Sequence, residues 1–270
     1  MRPESDPSAL ALNGAGATER SLPSEPARTS EPTRPSEENA YTRPQPWQRE
    51  RLALALDVDD LVAAQRLAVD LRPWFSVVKV GLELFSAAGP SVVPTLVDEG
   101  FKVFLDLKLA DIPTTVGRAA RVIGALGVSY LTMHAFGGTT MLRAGVEGLG
   151  EGAAAAGVEM PYAIAVTVLT SDADAPPHIL GKRVSVAVEA GCKGVVCAAG
   201  DVVEAKQMAP KLLAVVPGIR MGTTPSHDQR RTATPSEALT AGADLMVVGR
   251  TVSAARDRKA AASALAASLL

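Results

Sequence analysis

Eight short apolar runs, each followed by a helix-like stretch, constrain this chain more than any other feature. The runs are Leu52–Leu56, Val77–Val80, Val103–Leu107, Tyr130–His134, Ala163–Leu169, Gly194–Cys197, Leu213–Val216 and Leu245–Val248. Between them lie Ala- and Leu-rich amphipathic stretches, among them Leu61–Leu71, Thr115–Leu126, Lys182–Ala190 and Pro235–Ala241. Gly or Asp marks their ends, as in GVSY, AGCKG and AGADL. Continuous apolar strands joined by helices predict a parallel sheet covered on both faces. Eight such units in roughly 220 residues match the count and size of a TIM (β/α)8 barrel. A doubly wound open sheet is the competing architecture. No G-x-G-x-x-G follows the first run, which counts against it.

One run carries charge. Phe104 to Thr115 reads FLDLKLADIPTT and sets Asp106, Lys108 and Asp111 into apolar surroundings. A strand has a side-chain period of two, so Asp106 and Lys108 share a face. Pro113 ends the regular pairing. A structural ion pair is the simplest account of a lone D-x-K. Three charges at one strand end need more, because burying charge is costly unless something uses it.

In a TIM barrel the chemistry lies at the C-terminal ends of the strands. Asp57 follows the first run, Lys79 lies in the second, and Asp106 and Lys108 end the third. His134 ends the fourth and Thr167 and Thr170 the fifth; Pro217 and Arg220 follow the seventh, and Gly249 and Arg250 the eighth. His134 reads as a residue supporting the site rather than a catalytic base. After the eighth run, VVGRTVSAA is a Gly-Arg turn into a short helix, where such barrels often bind phosphate through backbone N–H groups. Arg250 adds a charge-assisted clamp. After the seventh run, PGIRMGTTPSHDQRR is long enough to predict a mobile lid. Arg220 and Gln229 on it reach toward the same phosphate, while Arg230 and Arg231 read as lid surface. His178 and His227 read as solvated loop residues. The Ala-rich run Ala254–Leu270 reads as a helix closing the barrel.

Composition narrows the function classes. A net charge of −2 argues against a nucleic-acid binder, and 4% aromatic residues argue against a base-stacking platform. No apolar run is long enough to span a bilayer, so no membrane role is expected. Cys192 and Cys197 lack zinc-site spacing and read as buried free thiols, in keeping with a reducing cytoplasm. Met1–Pro46 is rich in Pro, Ser, Glu, Thr and Arg and predicts a disordered tail, leaving 47–270 for the barrel.

Arg51 to Asp257 resembles the bacterial type of orotidine 5′-phosphate decarboxylase. The resemblance rests on ALDVDD (Ala55–Asp60), KVGLELF (Lys79–Phe85), DLKLADIPTT (Asp106–Thr115), MHAFGG (Met133–Gly138) and VTVLTS (Val166–Ser171). It continues through PGIR (Pro217–Arg220), DQRR (Asp228–Arg231), ATP (Ala233–Pro235) and VVGR (Val247–Arg250). It implies loss of CO2 from orotidine 5′-monophosphate to give UMP, without metal or organic cofactor. By motif, Lys108 donates the proton to pyrimidine C6, and Asp106, Lys108, Lys79 and Asp111 form a charged array. The family places Asp57 and Lys79 on the ribose hydroxyls and Thr170 and Pro217 at the pyrimidine. Arg220, Gln229, Gly249 and Arg250 hold the phosphate. Asp111 and Thr115 reach into the partner subunit's site, which implies a homodimer with shared sites.

Three departures stand out: Phe136 after His-Ala, Val216 where many relatives have Thr, and Thr251 where many have Pro. None removes a charged group. Two other functions remain open on the sequence. A metal-dependent 3-keto-gulonate 6-phosphate decarboxylase or hexulose-phosphate synthase shares D-x-K-x-x-D but needs a further carboxylate near Asp106, for which Glu83 is the nearby candidate. A catalytically inactive phosphate-binding barrel is the other.

Overall fold

The computed structural model describes residues 41–172, 175–176, 178–221 and 231–269. Eight parallel strands close into one barrel in chain order. They are β1 (Leu52–Ala55), β2 (Val77–Val80), β3 (Lys102–Leu109), β4 (Tyr130–His134), β5 (Tyr162–Val166), β6 (Gly194–Val196), β7 (Leu213–Val216) and β8 (Leu245–Val248). The barrel closes where β1 pairs with β8, through Leu52↔Met246, Ala53↔Val247 and Leu54↔Val248.

Strand alternation divides the core into two parts. Ala53, Ala55, Val77, Phe104, Ile164, Val166, Val196, Val215, Leu245 and Val247 fill the barrel interior. Their sequence neighbours, such as Leu52, Leu54, Val78, Val103, Leu105, Leu131 and Met246, pack outward into the larger core against the helices. Both faces of each strand are therefore apolar, which explains why the runs read as continuous rather than alternating. The same period decides which polar residues face inward: Lys79 follows Val77, Asp106 follows Phe104, and Thr132 follows Tyr130.

The helices between strands are α2 (Leu61–Leu71), α3 (Leu82–Ala88), α4 (Val92–Asp98), α5 (Pro113–Gly124), α6 (Gly138–Ala156), α7 (His178–Glu189), α8 (Val202–Met208) and α9 (Pro235–Ala241) among the described residues. Local chemistry sets their starts. Asp60 accepts the Ala63 N–H at 2.6 Å, and Thr234 and Glu237 form a reciprocal capping box at α9. The helix expected over Ala254–Leu270 is α11 (Arg258–Ala267), which starts later than expected, and α10 (Arg250–Ser253) is the short helix expected after the Gly-Arg turn. Asp257 breaks the run by capping α11, accepting from the Ala260 N–H at 2.9 Å. The fifth strand stops at Val166 rather than Leu169, so Val168, Leu169 and Thr170 form a loop at the barrel mouth.

The tail expected over Met1–Pro46 lies, as far as residue 40, outside the described residues. Residues 41–46 are attached to the barrel. Tyr41 donates to Asp257 at 2.8 Å, and the Thr42 carbonyl accepts from the Trp74 indole at 3.1 Å and from Ser263. A five-residue helix, α1 (Pro46–Glu50), then leads into β1, and buried Gln48 donates to the Ala266 carbonyl. Among the described residues, no helix is long and apolar enough to cross a membrane.

Helices α5 and α6 pack backbone to backbone. A Cβ on Gly148 would meet the Gly117 carbonyl oxygen at 2.1 Å, and one on Gly152 the Arg121 carbonyl oxygen at 1.9 Å. Neither oxygen can move without shifting a helix. Gly150, on the same helix, would meet only the flexible end of Met160 at 3.1 Å. Gly148→Ala and Gly152→Ala should each destabilise by about 1–3 kcal/mol through overpacking. Gly150→Ala should be neutral or stabilising by up to about 1 kcal/mol, since Ala is the better helix former. Denaturant midpoints of the three variants check this.

Candidate active site

The third strand is irregular where its charges lie. Phe104 pairs with Tyr130 and Leu105 with Leu131, but the next partners are Leu109 and Met133. Extra β3 residues between those points form a bulge that contains Asp106, Leu107 and Lys108. Within it Lys108 takes φ of 51°, the one non-glycine residue with positive φ among the described residues. A non-glycine residue held there costs on the order of 1–3 kcal/mol and persists only where its surroundings enforce it.

The bulge brings the charges together. Lys108 Nζ lies 2.9 Å from both carboxylate oxygens of Asp106. Lys79, from β2, places its ammonium 3.7 Å from Asp106 Oδ2 and 3.2 Å from Asp57 Oδ1. Thr132, from β4, donates to Asp106 Oδ1 at 2.9 Å and accepts the Lys108 backbone N–H at 2.8 Å. Asp106 and Lys79 side chains are only 13% and 12% exposed, whereas Asp57 is 55% exposed. A row of alternating charge thus runs across the site: Asp57, Lys79, Asp106, Lys108.

These residues line a cavity of about 230 Å³ at the C-terminal mouth of the barrel. Its floor is apolar, built from Ala55, Phe104, Val166, Val196, Val215 and Val247. Thr170 enters from the loop after β5, and Pro217, Gly218, Arg220, Gly249 and Arg250 enter after β7 and β8. The two arms of that last wall are tied. Buried Thr251 donates to the Ile219 carbonyl at 2.9 Å, and Arg220 Nη1 donates to the same oxygen.

The sequence model of the orotidine 5′-phosphate decarboxylase / HUMPS family matches residues 50–265. Two relatives, both named orotidine 5′-phosphate decarboxylase, are similar over most of their length. The Moorella thermoacetica protein is 42% identical over 82% of this chain and 92% of its own. The one from Anaeromyxobacter dehalogenans is 45% identical over 82% of this chain and 98% of its own. The crystal structure of the Lactobacillus acidophilus enzyme superposes with a TM-score of 0.67 at 33% identity, covering 84% of this chain and 99% of that one. The chain belongs to the orotidine 5′-phosphate decarboxylase family.

Of the residues expected at the site of a family member, Asp57, Lys79, Asp106, Lys108, Thr170, Pro217, Arg220, Gly249 and Arg250 line one cavity. Gln229, His227 and most of the expected lid, residues 222–230, lie outside the described residues. Asp111 and Thr115 are exposed and do not line the cavity of their own chain. Thr167 turns away from the cavity, donating to the Val196 carbonyl at 2.7 Å. Arg231 is not lid surface. Its guanidinium holds both carboxylate oxygens of Asp201, at 2.7 and 3.0 Å, and its N–H donates to the Thr170 carbonyl. Glu83, the candidate extra carboxylate, is exposed in the first turn of α3 (Leu82–Ala88) and does not line the cavity.

The three departures have separate consequences. Val216 faces the outer core, away from the cavity. Phe136 is 61% exposed and packs on the His134 ring at 4.4 Å. Thr251 forms the tie just described. Sequence reasoning missed Thr132; its inward register, two residues before His134, was the available signal.

Electrostatics follow the geometry. Burial pushes the Asp106 carboxyl up, but the Lys79 and Lys108 charges and hydrogen bonds from Lys108 and Thr132 outweigh it, and its pKa falls below the ordinary range. Burial, then the Arg183 and Lys108 charges, lowers the pKa of His134, which favours neutral imidazole and a supporting role. Cys192 and Cys197 are buried free thiols pushed up to about 12. Asp106 should make stability pH-dependent. Its folded pKa lies below the unfolded value of about 3.9, so its contribution is full above that value and lost as pH falls through the folded pKa. Urea midpoints measured from pH 6 downward should decline in this window for the wild type and decline less for Asp106→Asn.

Proposed function

We propose that this chain decarboxylates orotidine 5′-monophosphate to UMP, with Lys108 stabilising and then protonating pyrimidine C6. The observation that carries this reading is the Lys108 ammonium, 2.9 Å from Asp106 and in one cavity with Arg220 and Arg250. Breaking the C6–carboxylate bond releases CO2 and leaves the electron pair on C6. No π-system spreads that charge, so the site must supply a fixed cation at that carbon. Lys108 is that cation. Its Nζ–H proton then passes to C6, giving UMP, and solvent reprotonates the amine.

Asp106 holds the Lys108 ammonium in place by opposite charge, at 2.9 Å. Lys79 and Asp57 are placed for the ribose hydroxyls, and Thr170 and Pro217 for the pyrimidine. Arg220, Gly249 and Arg250, with Gln229, hold the phosphate. In an eight-stranded barrel β7 stands opposite β3, so a ligand anchored there extends across the apolar floor toward Lys108. Binding energy from the phosphate can thus serve the reaction at a distance.

The metal-dependent alternative fits less well. Asp106 already accepts from Lys108 and Thr132 and faces Lys79, so ammonium groups occupy the space a divalent cation needs. The inactive alternative leaves a strained, charged Lys108 without a use. A UMP-formation assay tests the reading. Lys108→Ala should lose more than about 10³-fold in kcat, the scale of losing a proton donor and an electrostatic stabiliser, while still binding UMP. Turnover should be insensitive to a chelator. Equal activity of the variant and the wild type overturns the proposal.

Asp111 and Thr115 complete the cavity of a second copy, making the enzyme a homodimer with shared sites. Their exposure beside, but outside, their own cavity supports this. Buried thiols accord with a reducing cytoplasm. Lys108→Ala and Asp111→Ala homodimers should both be inactive. Mixed and allowed to reassociate, they should recover roughly one quarter of wild-type activity, because half the dimers are mixed and each holds one intact site. Subunits that work independently would recover none.

A further inference from the structure

We propose that Thr132 is a positioning residue for this reaction, holding both partners of the Asp106–Lys108 pair through one hydroxyl. The inference rests on the reading of Lys108 as proton donor. Thr132 is fully buried on β4 and points into the barrel between Tyr130 and His134. Valine would fill that space without a polar atom, and a buried hydroxyl is costly unless bonded. Both hydrogen bonds of this hydroxyl go to the catalytic pair.

The first bond addresses the backbone. The register slip between Leu105 and Leu109 leaves the Lys108 N–H out of the regular ladder. Thr132 Oγ1 accepts that N–H at 2.8 Å, which secures the left-handed conformation that turns the lysine inward. The second bond addresses the carboxylate. Having accepted from Lys108, the hydroxyl directs its one proton to Asp106 Oδ1 at 2.9 Å. That oxygen also faces Lys108 Nζ, while Oδ2 faces both Lys108 and Lys79. Thr132 is therefore the neutral group that orients Asp106 among cations.

The charged and titratable groups around Asp106 are Lys108 on β3, Lys79 on β2 with Asp57 beyond it, and His134 at the end of β4. Only Thr132 touches both Asp106 and the Lys108 backbone among these partners. Removing its hydroxyl should loosen the ammonium by a fraction of an ångström and weaken the ionised form of Asp106. Substrate binding through the phosphate and ribose contacts should be spared.

Thr132→Val tests this with the intact protein. We expect kcat to fall about 10- to 100-fold, as for misplaced catalytic groups, with UMP affinity within about threefold. The acid limb of kcat should move up by about one pH unit, because Asp106 loses a hydrogen bond that favours its charged form. Thr132→Ser should restore both, and Thr132→Ala gives the same two readouts should valine not be accommodated. A merely structural residue would lower the melting midpoint and the active fraction together and leave the acid limb in place. Wild-type kcat in both hydroxyl-free variants, an unmoved acid limb, or failure of serine to restore would each overturn the inference. Turnover retained by Lys108→Ala would instead remove the reading of Lys108, whatever Thr132 does.

Discussion

A carboxylate held between two ammonium groups inside the barrel mouth is the interaction on which the rest of the site depends. Asp106 is largely withdrawn from water, and alone it would be driven toward its neutral form. Lys79 and Lys108 reverse that, and Asp106 in turn holds the Lys108 ammonium at 2.9 Å in the cavity. Removing Asp106 would leave two ammonium groups facing each other without the carboxylate between them, which makes it the member least tolerant of substitution.

The barrel makes this arrangement affordable in structural terms. Lys79, Asp106 and Thr132 come from three adjacent strands, and the inward register of each is set by the alternation that turns Val77, Phe104 and Tyr130 into the barrel interior. A rigid closed sheet holds the groups in place without help from loops. The one local irregularity, the β3 bulge, is concentrated at Lys108. The opposite wall is looser in origin, made from turns after β7 and β8, and Thr251 joins its two arms through the Ile219 carbonyl. Among the described residues, positive φ at a non-glycine residue falls at Lys108 alone, the pattern expected where backbone strain serves function.

Much of this was legible in the chain. Four strands, β2, β4, β7 and β8, have the bounds that apolar periodicity predicts. Nine of the expected cavity residues meet because each lies near or just after the C-terminal end of a strand, in a fold that gathers strand ends at one face. The misreadings share a cause. The fifth strand reads as extending to Leu169 because Thr167, Val168 and Leu169 have strand-forming side chains, yet pairing stops at Val166 and Val168 and Leu169 turn to line the mouth. Arg231 read as surface because its partner, Asp201, is distant in sequence. The C-terminal helix reads as starting at Ala254 because Asp257 looks like any polar residue until it caps α11.

Composition and periodicity by themselves determined the barrel, the cavity end and the identity of its charged residues, because burial on both strand faces and the two-residue repeat are local properties of the chain. Tertiary structure alone decided how those charges are used. It placed the bulge, turned Lys108 into the left-handed region, and brought Thr132 from β4 onto both Asp106 and Lys108. It also left Asp111 and Thr115 exposed and outside the lining of their own cavity. These outcomes depend on pairing register between strands and on distances between residues far apart in the chain, and no local pattern encodes either.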